Sequence, residues 1–188
     1  MSALLDALAR ADVRTDRERV DVDRLTELGA AGTAAWSRTE PLHVTGSAFV
    51  VHPPTRRVLL RWHDRQQAWI QAGGHGDPGE DDPFEVARRE AVEETGLDDV
   101  APWPDAVRPR IVHAVVVPVV ANDREPAHEH GDLRYVLATE HPERATVEHD
   151  GADLRWLTVD EAIELTTVDN VRTTLRRVGE LFDPPAPG

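Results

Sequence analysis

The stretch GGHGDPGEDDPFEVARREAVEETGL, residues 73–97, joins a glycine-rich segment to a predicted helix that is rich in carboxylates. Asp82 suits the N-cap position, and Pro83 suits the first position of a helix. Gly96 suits the C-terminal end, where a left-handed backbone commonly closes a helix. The sequence therefore predicts a helix over residues 82–95.

Three glutamates of this helix, Glu90, Glu93 and Glu94, lie on neighbouring stripes beside the apolar face that should pack on a sheet. Like charges three or four residues apart destabilise a helix by about 0.2–0.5 kcal/mol per pair. A solvated acidic face is one explanation for this pattern. A bound divalent cation with oxygen ligands is the other, and it is favoured by the glycine-rich loop and by Arg89, which is within reach of Glu93.

The stretch closely resembles the Nudix box, G-x5-E-x7-R-E-U-x-E-E-x-G-U, where U is a bulky apolar residue. The helical half matches position for position at Arg89, Glu90, Glu93, Glu94, Gly96 and Leu97. One residue is inserted before the helix of this box, Gly74–Leu97. Glu80 has the expected spacing from Gly74, whereas Asp81 has the expected spacing from Arg89, so both are candidates for the first acidic position.

The resemblance implies a Nudix-type α/β/α sandwich with a mixed β-sheet. It also implies a hydrolase dependent on Mg²⁺ or Mn²⁺ that cleaves the pyrophosphate linkage of a nucleoside diphosphate linked to another group, X. In such a reaction water attacks phosphorus, and catalysis depends mainly on positioning and charge neutralisation. The implied ligand is a small nucleotide-type molecule, and a homodimer is one of the assemblies that the resemblance allows.

The same resemblance implies roles for individual residues. Glu90 and Glu94 are expected to be metal ligands, and Glu93 a third ligand or one that binds through water. The carbonyl of Gly74 is expected to complete the metal shell. Arg89 is expected to orient the glutamates, so the catalytic set is Glu93, Glu94 and Arg89. The general base is a box glutamate or an acid of a later loop that otherwise reads as a solvated turn, namely Glu148, Asp150 or Asp153.

A second polar group lies in the segment AHEHGDLRYVL, where strand alternation places His128, His130, Asp132 and Arg134 on one face. This face either lines a pocket for phosphate or sugar or faces solvent, and the two histidines also allow a transition-metal site. His75, in the glycine loop, is expected near the substrate. The predicted substrate-binding residues are His75, His128, His130 and Arg134.

The rest of the chain predicts strands alternating with helices, a pattern typical of helices packed on a mixed sheet. Residues 1–40 read as a helical extension that either packs on the main domain or forms a dimer contact. Residues 41–183 are predicted to form the Nudix domain, and residues 184–188 a disordered tail. Predicted strands cover residues 42–51, 56–62, 68–74, 110–121, 132–140 and 153–158, and closing helices cover 159–167 and 168–182.

Composition excludes several classes of function. The 188 residues include no cysteine, which excludes disulfides, thiolate metal sites and cysteine nucleophiles, and so also an isomerase that depends on a catalytic cysteine. The net charge of −14 argues against nucleic-acid binding through a basic surface. The sequence has neither a membrane-spanning apolar run nor a signal-peptide pattern, so we expect a cytoplasmic protein. The alternative function is a non-catalytic sensor of nucleotide derivatives, which the complete box disfavours.

Overall fold

The structure is a computed structural model that describes residues 2–121, 125–147 and 152–183. Its helices are α1 (Ala3–Leu8), α2 (Asp16–Gly29), α3 (Pro83–Thr95), α4 (Val159–Leu165) and α5 (Asp169–Phe182). Its strands are β1 (Leu42–His52), β2 (Arg57–His63), β3 (Ala68–Ile70), β4 (Ala72–His75), β5 (Ala101–Pro102), β6 (His113–Val119), β7 (His128–Ala138) and β8 (Leu154–Thr158). None of the helices in these ranges combines the length and apolarity that a bilayer span requires.

The centre of the sheet is a parallel ladder between β1 and β7, which runs from Leu42 opposite Glu129 to Val51 opposite Ala138. The other pairings are antiparallel. Two strands share the other edge of β1: β4 pairs with its middle, from Thr45 to Ala48, and β2 pairs with its end, from Val50 to His52. The sheet is therefore mixed, and β4 lies beside the middle of β1.

Alternation along the strands divides the apolar side chains between two cores. Val44, Ala48 and Val50 of β1 face the core that contains α1, α2 and α3. Phe49 and Val51 face the opposite core, which contains α4 and α5. Helices thus cover both faces of a mixed sheet, which confirms the predicted α/β/α sandwich.

The N-terminal helices pack directly on this sheet. Leu4, Leu8 and Leu25 are at most 3% exposed and belong to the core beneath α3. Leu25 lies so close to β7 that a Cβ built on Gly131 would be 2.1 Å from its Cδ2. The absence of a side chain at Gly131 therefore makes room for α2. The limits of residues 1–40 and 41–183 as separate domains stay a prediction, and residues 184–188 lie outside the described ranges.

Some strand predictions differ from the structure in their limits, and one strand was not predicted. The strand predicted over residues 68–74 is divided at Gln71, because β3 pairs with β2 whereas β4 pairs with β1. The strand predicted from residue 132 begins at His128, because its pairing with β1 extends to Glu129 and its pairing with β6 extends to His128. The two-residue strand β5 was not predicted, because it is defined only by its pairing with the end of β7.

Candidate active site

Helix α3 has the ends that its sequence predicts. The Asp82 carboxylate caps it by accepting the backbone N–H of Phe84 at 2.9 Å. Gly96 closes it with φ of +68°, and its N–H donates to Val92. Ala87 and other residues of the inner face are fully buried against the sheet. Both ends and the packing therefore fix the side of the helix that carries the glutamates.

Glu90 lies against the backbone of β4. A Cβ built on Gly74 would be 2.6 Å from the Glu90 carboxyl group, so only glycine leaves this space open. The Glu90 carboxylate accepts a hydrogen bond from Arg89 Nη1 at 2.9 Å. Burial raises the pKa of Glu90, and the nearby guanidinium of Arg89 opposes this effect. The structure thus places a largely buried carboxylate beside the glycine-rich strand.

Glu94 is held from two sides. One carboxylate oxygen accepts the backbone N–H of Gly73 at 3.0 Å, and the other lies 3.0 Å from Arg61 Nη1. Arg61 was not predicted as part of the site. The available signal was strand alternation, which places it on the same side as buried Leu59 and so requires a buried partner for its charge. Arg61 therefore fixes the direction of the Glu94 side chain.

Arg89 connects the loop to the helix. Its Nη1 donates to Glu93 at 2.8 Å, and its Nη2 donates to the carbonyl of His75 at 2.8 Å. Its Nε and Nη2 also donate to the Glu80 carboxylate at 3.0–3.2 Å, and this bonding lowers the pKa of Glu80. Asp81 is exposed. Of the two candidates for the first acidic position, the one that contacts the arginine is Glu80.

The donor set of the box suits a hard divalent cation. Carboxylates of Glu90, Glu93 and Glu94, together with a backbone carbonyl at Gly74, are the oxygen ligands that Mg²⁺ and Mn²⁺ prefer. Gly74 also leaves the space beside Glu90 open. In the structure the three carboxylates are paired with arginines, and they do not form a group whose ligand atoms all lie within 4.8 Å. The oxygen atoms that these residues offer are therefore of the type that binds such an ion.

Four histidines meet on the face of the sheet opposite α3. His75 Nε2 lies 3.1 Å from His43 Nε2 and 3.2 Å from His130 Nε2, and His130 Nε2 lies 3.0 Å from His128 Nε2. His75, His128 and His130 were predicted, whereas His43 was not, because the sequence does not reveal that β1 and β7 are neighbours. Burial lowers the pKa of His75 to about 3 and that of His130 to about 4, with neighbouring histidines contributing. Burial also lowers the pKa of His43.

Arg134 lies deeper in the same face and is only 2% exposed. Its Nε donates to Asp132 at 2.8 Å, and its other groups donate to Asn170 and Thr174 at 2.8–2.9 Å. Four of its five N–H groups are therefore used by the protein. This arrangement joins β7 to α5 and does not favour the predicted contact between Arg134 and a substrate.

Of the later acids considered as general base, Asp153 alone falls in the described ranges. Its side chain is 56% exposed, and its carboxylate lies 3.5 Å from Arg155 Nη2. Glu148 and Asp150 lie outside the described residues. A role for these acids stays a prediction.

Comparisons with known proteins identify the family of this chain. The family model described as NUDIX domain matches residues 41–178. No curated protein matched the chain in a sequence comparison. Among solved structures, a C. elegans Ap4A hydrolase in a binary complex aligns with a TM-score of 0.58 at 16% identity, over 74% of this chain and 97% of that one.

Two further solved structures share the fold. The E. coli dihydroneopterin triphosphate pyrophosphohydrolase aligns with a TM-score of 0.54 at 20% identity, over 73% of this chain and 94% of that one. A Nudix hydrolase from M. smegmatis aligns with a TM-score of 0.53 at 19% identity, over 78% and 89%. Since the family model covers most of the chain, the chain belongs to the Nudix hydrolase family.

Proposed function

We propose that the protein is a Mg²⁺- or Mn²⁺-dependent hydrolase that cleaves the pyrophosphate linkage of a nucleoside diphosphate joined to a group X. The observation that carries this proposal is the arrangement of Glu90 and Glu94 against Gly73 and Gly74 of β4. Carboxylates beside a glycine backbone, where no side chain blocks the approach, form a suitable site for a cation that contacts phosphate oxygens.

The residues that would hold the ion are Glu90, Glu94 and Glu93, with the carbonyl of Gly74. When bound, the ion neutralises phosphate charge and lowers the pKa of water. Arg89 is a positioning residue, because it contacts two of these carboxylates and the carbonyl of His75. Its pairing with Glu80 keeps the guanidinium in place.

The general base is proposed to be a box glutamate. Glu93 is the most accessible of the three, with a side chain 51% exposed, against 15% for Glu90 and 11% for Glu94. An accessible carboxylate is able to meet a water molecule and release a proton to solvent. Glu94 is the second candidate, since its carboxylate is fixed by Gly73 and Arg61.

The substrate is proposed to be a small nucleotide-type molecule. Two of the solved relatives are a pyrophosphohydrolase and an Ap4A hydrolase by name, which supports this class and leaves X open. His75 directly follows Gly74, so the histidine face borders the proposed ion site. Contact of His75, His128 and His130 with the substrate stays a prediction.

The test is release of phosphate or nucleotide from a panel of nucleotide sugars, dinucleoside polyphosphates and nucleoside triphosphates, with Mg²⁺ or Mn²⁺ and with chelator. Turnover of one class in the presence of the ion is expected. Glu94→Gln should lower kcat by at least about 100-fold, the effect typical of losing one preorganised electrostatic group.

The matched control is Glu85→Gln, which changes an exposed glutamate of the same helix that contacts Arg88. This variant should retain turnover. Equal turnover by Glu94→Gln would contradict the proposed role of that residue. Binding of a nucleotide derivative without turnover under all conditions would instead support a sensor.

A further inference from the structure

The four histidines on the sheet face form a cluster built from three adjacent strands. His43 comes from β1, His75 from β4, and His128 and His130 from β7. The parallel pairing of β1 with β7 and the antiparallel pairing of β1 with β4 bring them together. Their Nε2 atoms face one another in a chain of contacts of 3.0–3.2 Å.

The outer ring nitrogens define the tautomers of two of these histidines. His43 Nδ1 lies 3.0 Å from the carbonyl oxygen of Glu40, and His128 Nδ1 lies 2.8 Å from the carbonyl oxygen of Pro126. A carbonyl oxygen only accepts, so each Nδ1 carries the proton and each neutral ring has a bare Nε2. This is also the arrangement by which protein backbones orient histidines that bind metals.

The cluster cannot satisfy its contacts with hydrogen bonds alone. Two of the four Nε2 atoms are bare, and each of the other two has at most one proton, which points to one neighbour. The three contacts between Nε2 atoms can therefore contain at most two hydrogen bonds. In at least one contact, two nitrogen atoms face each other with no proton shared between them. His43 is buried and the other three histidines are partly buried, so unmade hydrogen bonds in this cluster are costly.

We propose that His43, His75, His128 and His130 bind one transition-metal ion of the Zn²⁺ class, at a site separate from the box glutamates. Zinc binds histidine nitrogen at about 2.0–2.1 Å, which separates two ligands of a tetrahedral site by about 3.3 Å. The three Nε2 contacts are within 0.3 Å of that separation. Among the described residues, His43, His128 and His130 form the group whose ligand atoms all lie within 4.8 Å of one another. His75 joins this group through its contacts with His43 and His130.

The ligand type separates this site from the box. Imidazole nitrogen suits Zn²⁺, Co²⁺, Ni²⁺ and Cu²⁺, whereas Mg²⁺ takes oxygen ligands. On the His128 side, a pocket of about 580 Å³ is lined by His128, Pro41, Pro118 and Val119 among others. Bound metal would join β1, β4 and β7 close to His75, whose carbonyl accepts from Arg89.

The experiment uses the full chain after removal of metal with a chelator. Zn²⁺ is titrated against a chromogenic competitor, and Co²⁺ serves as a spectroscopic probe of nitrogen coordination. We expect one Zn²⁺ per chain and a rise in Tm on binding. His130→Gln should weaken Zn²⁺ binding by more than about 100-fold, since loss of an outer partner alone costs 10–100-fold.

His128→Gln is a second variant, chosen because this partly exposed residue is less needed for folding; it should also lose the Co²⁺ spectrum while its circular dichroism is unchanged. His141→Gln, outside the cluster, and Glu93→Gln, in the box, should bind Zn²⁺ as the parent does. A parent chain that binds no Zn²⁺ would overturn the proposal. Unchanged Zn²⁺ affinity in His130→Gln and His128→Gln would overturn it as well.

Discussion

Arg61 of β2 and Glu94 of α3 form an ion pair across the interface between sheet and helix, with Nη1 and Oε1 3.0 Å apart and both side chains 11% exposed. The second oxygen of Glu94 accepts the N–H of Gly73. A proposed metal ligand is thus held by a strand arginine outside the box. The direction of Glu94 consequently depends on β2 as much as on its own helix.

Arg61→Ala should therefore reduce both stability and activity. Removing one partner of a buried ion pair leaves an uncompensated charge and typically costs about 3–5 kcal/mol. The free energy of unfolding measured in urea, together with kcat, checks this prediction. Arg65→Ala is the control, because the exposed Arg65–Glu125 pair should contribute less than about 1 kcal/mol. Equal losses of stability and of kcat in the two variants would contradict the proposed role of Arg61 in holding Glu94.

Glu80 and Asp81 can be separated by matched substitutions. Glu80→Gln weakens the pairing that holds Arg89, so kcat/KM should fall by about 10–100-fold, as for other partners that orient a metal site. Asp81→Asn changes an exposed residue and should leave kcat/KM nearly unchanged. A larger loss in Asp81→Asn would reassign the first acidic position of the box.

Gly74→Ala tests the close approach of strand and helix. The added Cβ would lie 2.6 Å from the Glu90 carboxyl group, so that side chain must move away from β4. A displacement of about 1 Å at a catalytic site can cost about 100-fold in rate. Gly179→Ala in α5 is the control, because its Cβ would lie 3.3 Å from a side-chain atom of Val159. Neither Gly179 nor Val159 belongs to the box. Kinetics of both variants with Mg²⁺ should show a loss in Gly74→Ala alone.

Much of this site was predictable because its signals are local. The cap at Asp82, the closing glycine and the spacing of the glutamates define α3 within one short segment. The contributions of Arg61 and His43 depend on which strands become neighbours, and strand alternation gives the face of a side chain without giving its partner. For the same reason, the division of the predicted strand at Gln71 was missed.

The buried side chain of His113 should make the stability of the protein depend on pH. Burial lowers its pKa to about 3, and the charges of Arg134 and Arg177 act in the same direction. The unfolded chain has an ordinary histidine pKa of about 6.5 and takes up a proton below that pH, whereas the native state does not. Stability present above pH 6.5 should therefore be lost between about pH 6.5 and 3, by up to about 1.4 kcal/mol per pH unit.

Urea unfolding between pH 5 and 8 measures this slope. His113→Asn retains an acceptor or donor for Thr174, whose hydroxyl lies 2.8 Å from His113 Nδ1, and it should lower the slope. His141→Asn, at a partly exposed position, should not. The opposite sign, with greater stability at lower pH, would exclude a neutral buried His113.

The contact between Leu25 and Gly131 has a consequence for how the molecule unfolds. Leu25 of α2 occupies the space beside β7 that is left by the missing side chain of Gly131. Residues before 41 therefore share a hydrophobic core with the segment that the family model matches. We therefore expect the border at residue 41 to mark the limit of sequence similarity and not the limit of an independent folding unit. On heating, the N-terminal helices and the sheet should unfold in one cooperative transition. A chain starting at residue 41 should aggregate through the apolar surface that α1 and α2 no longer cover.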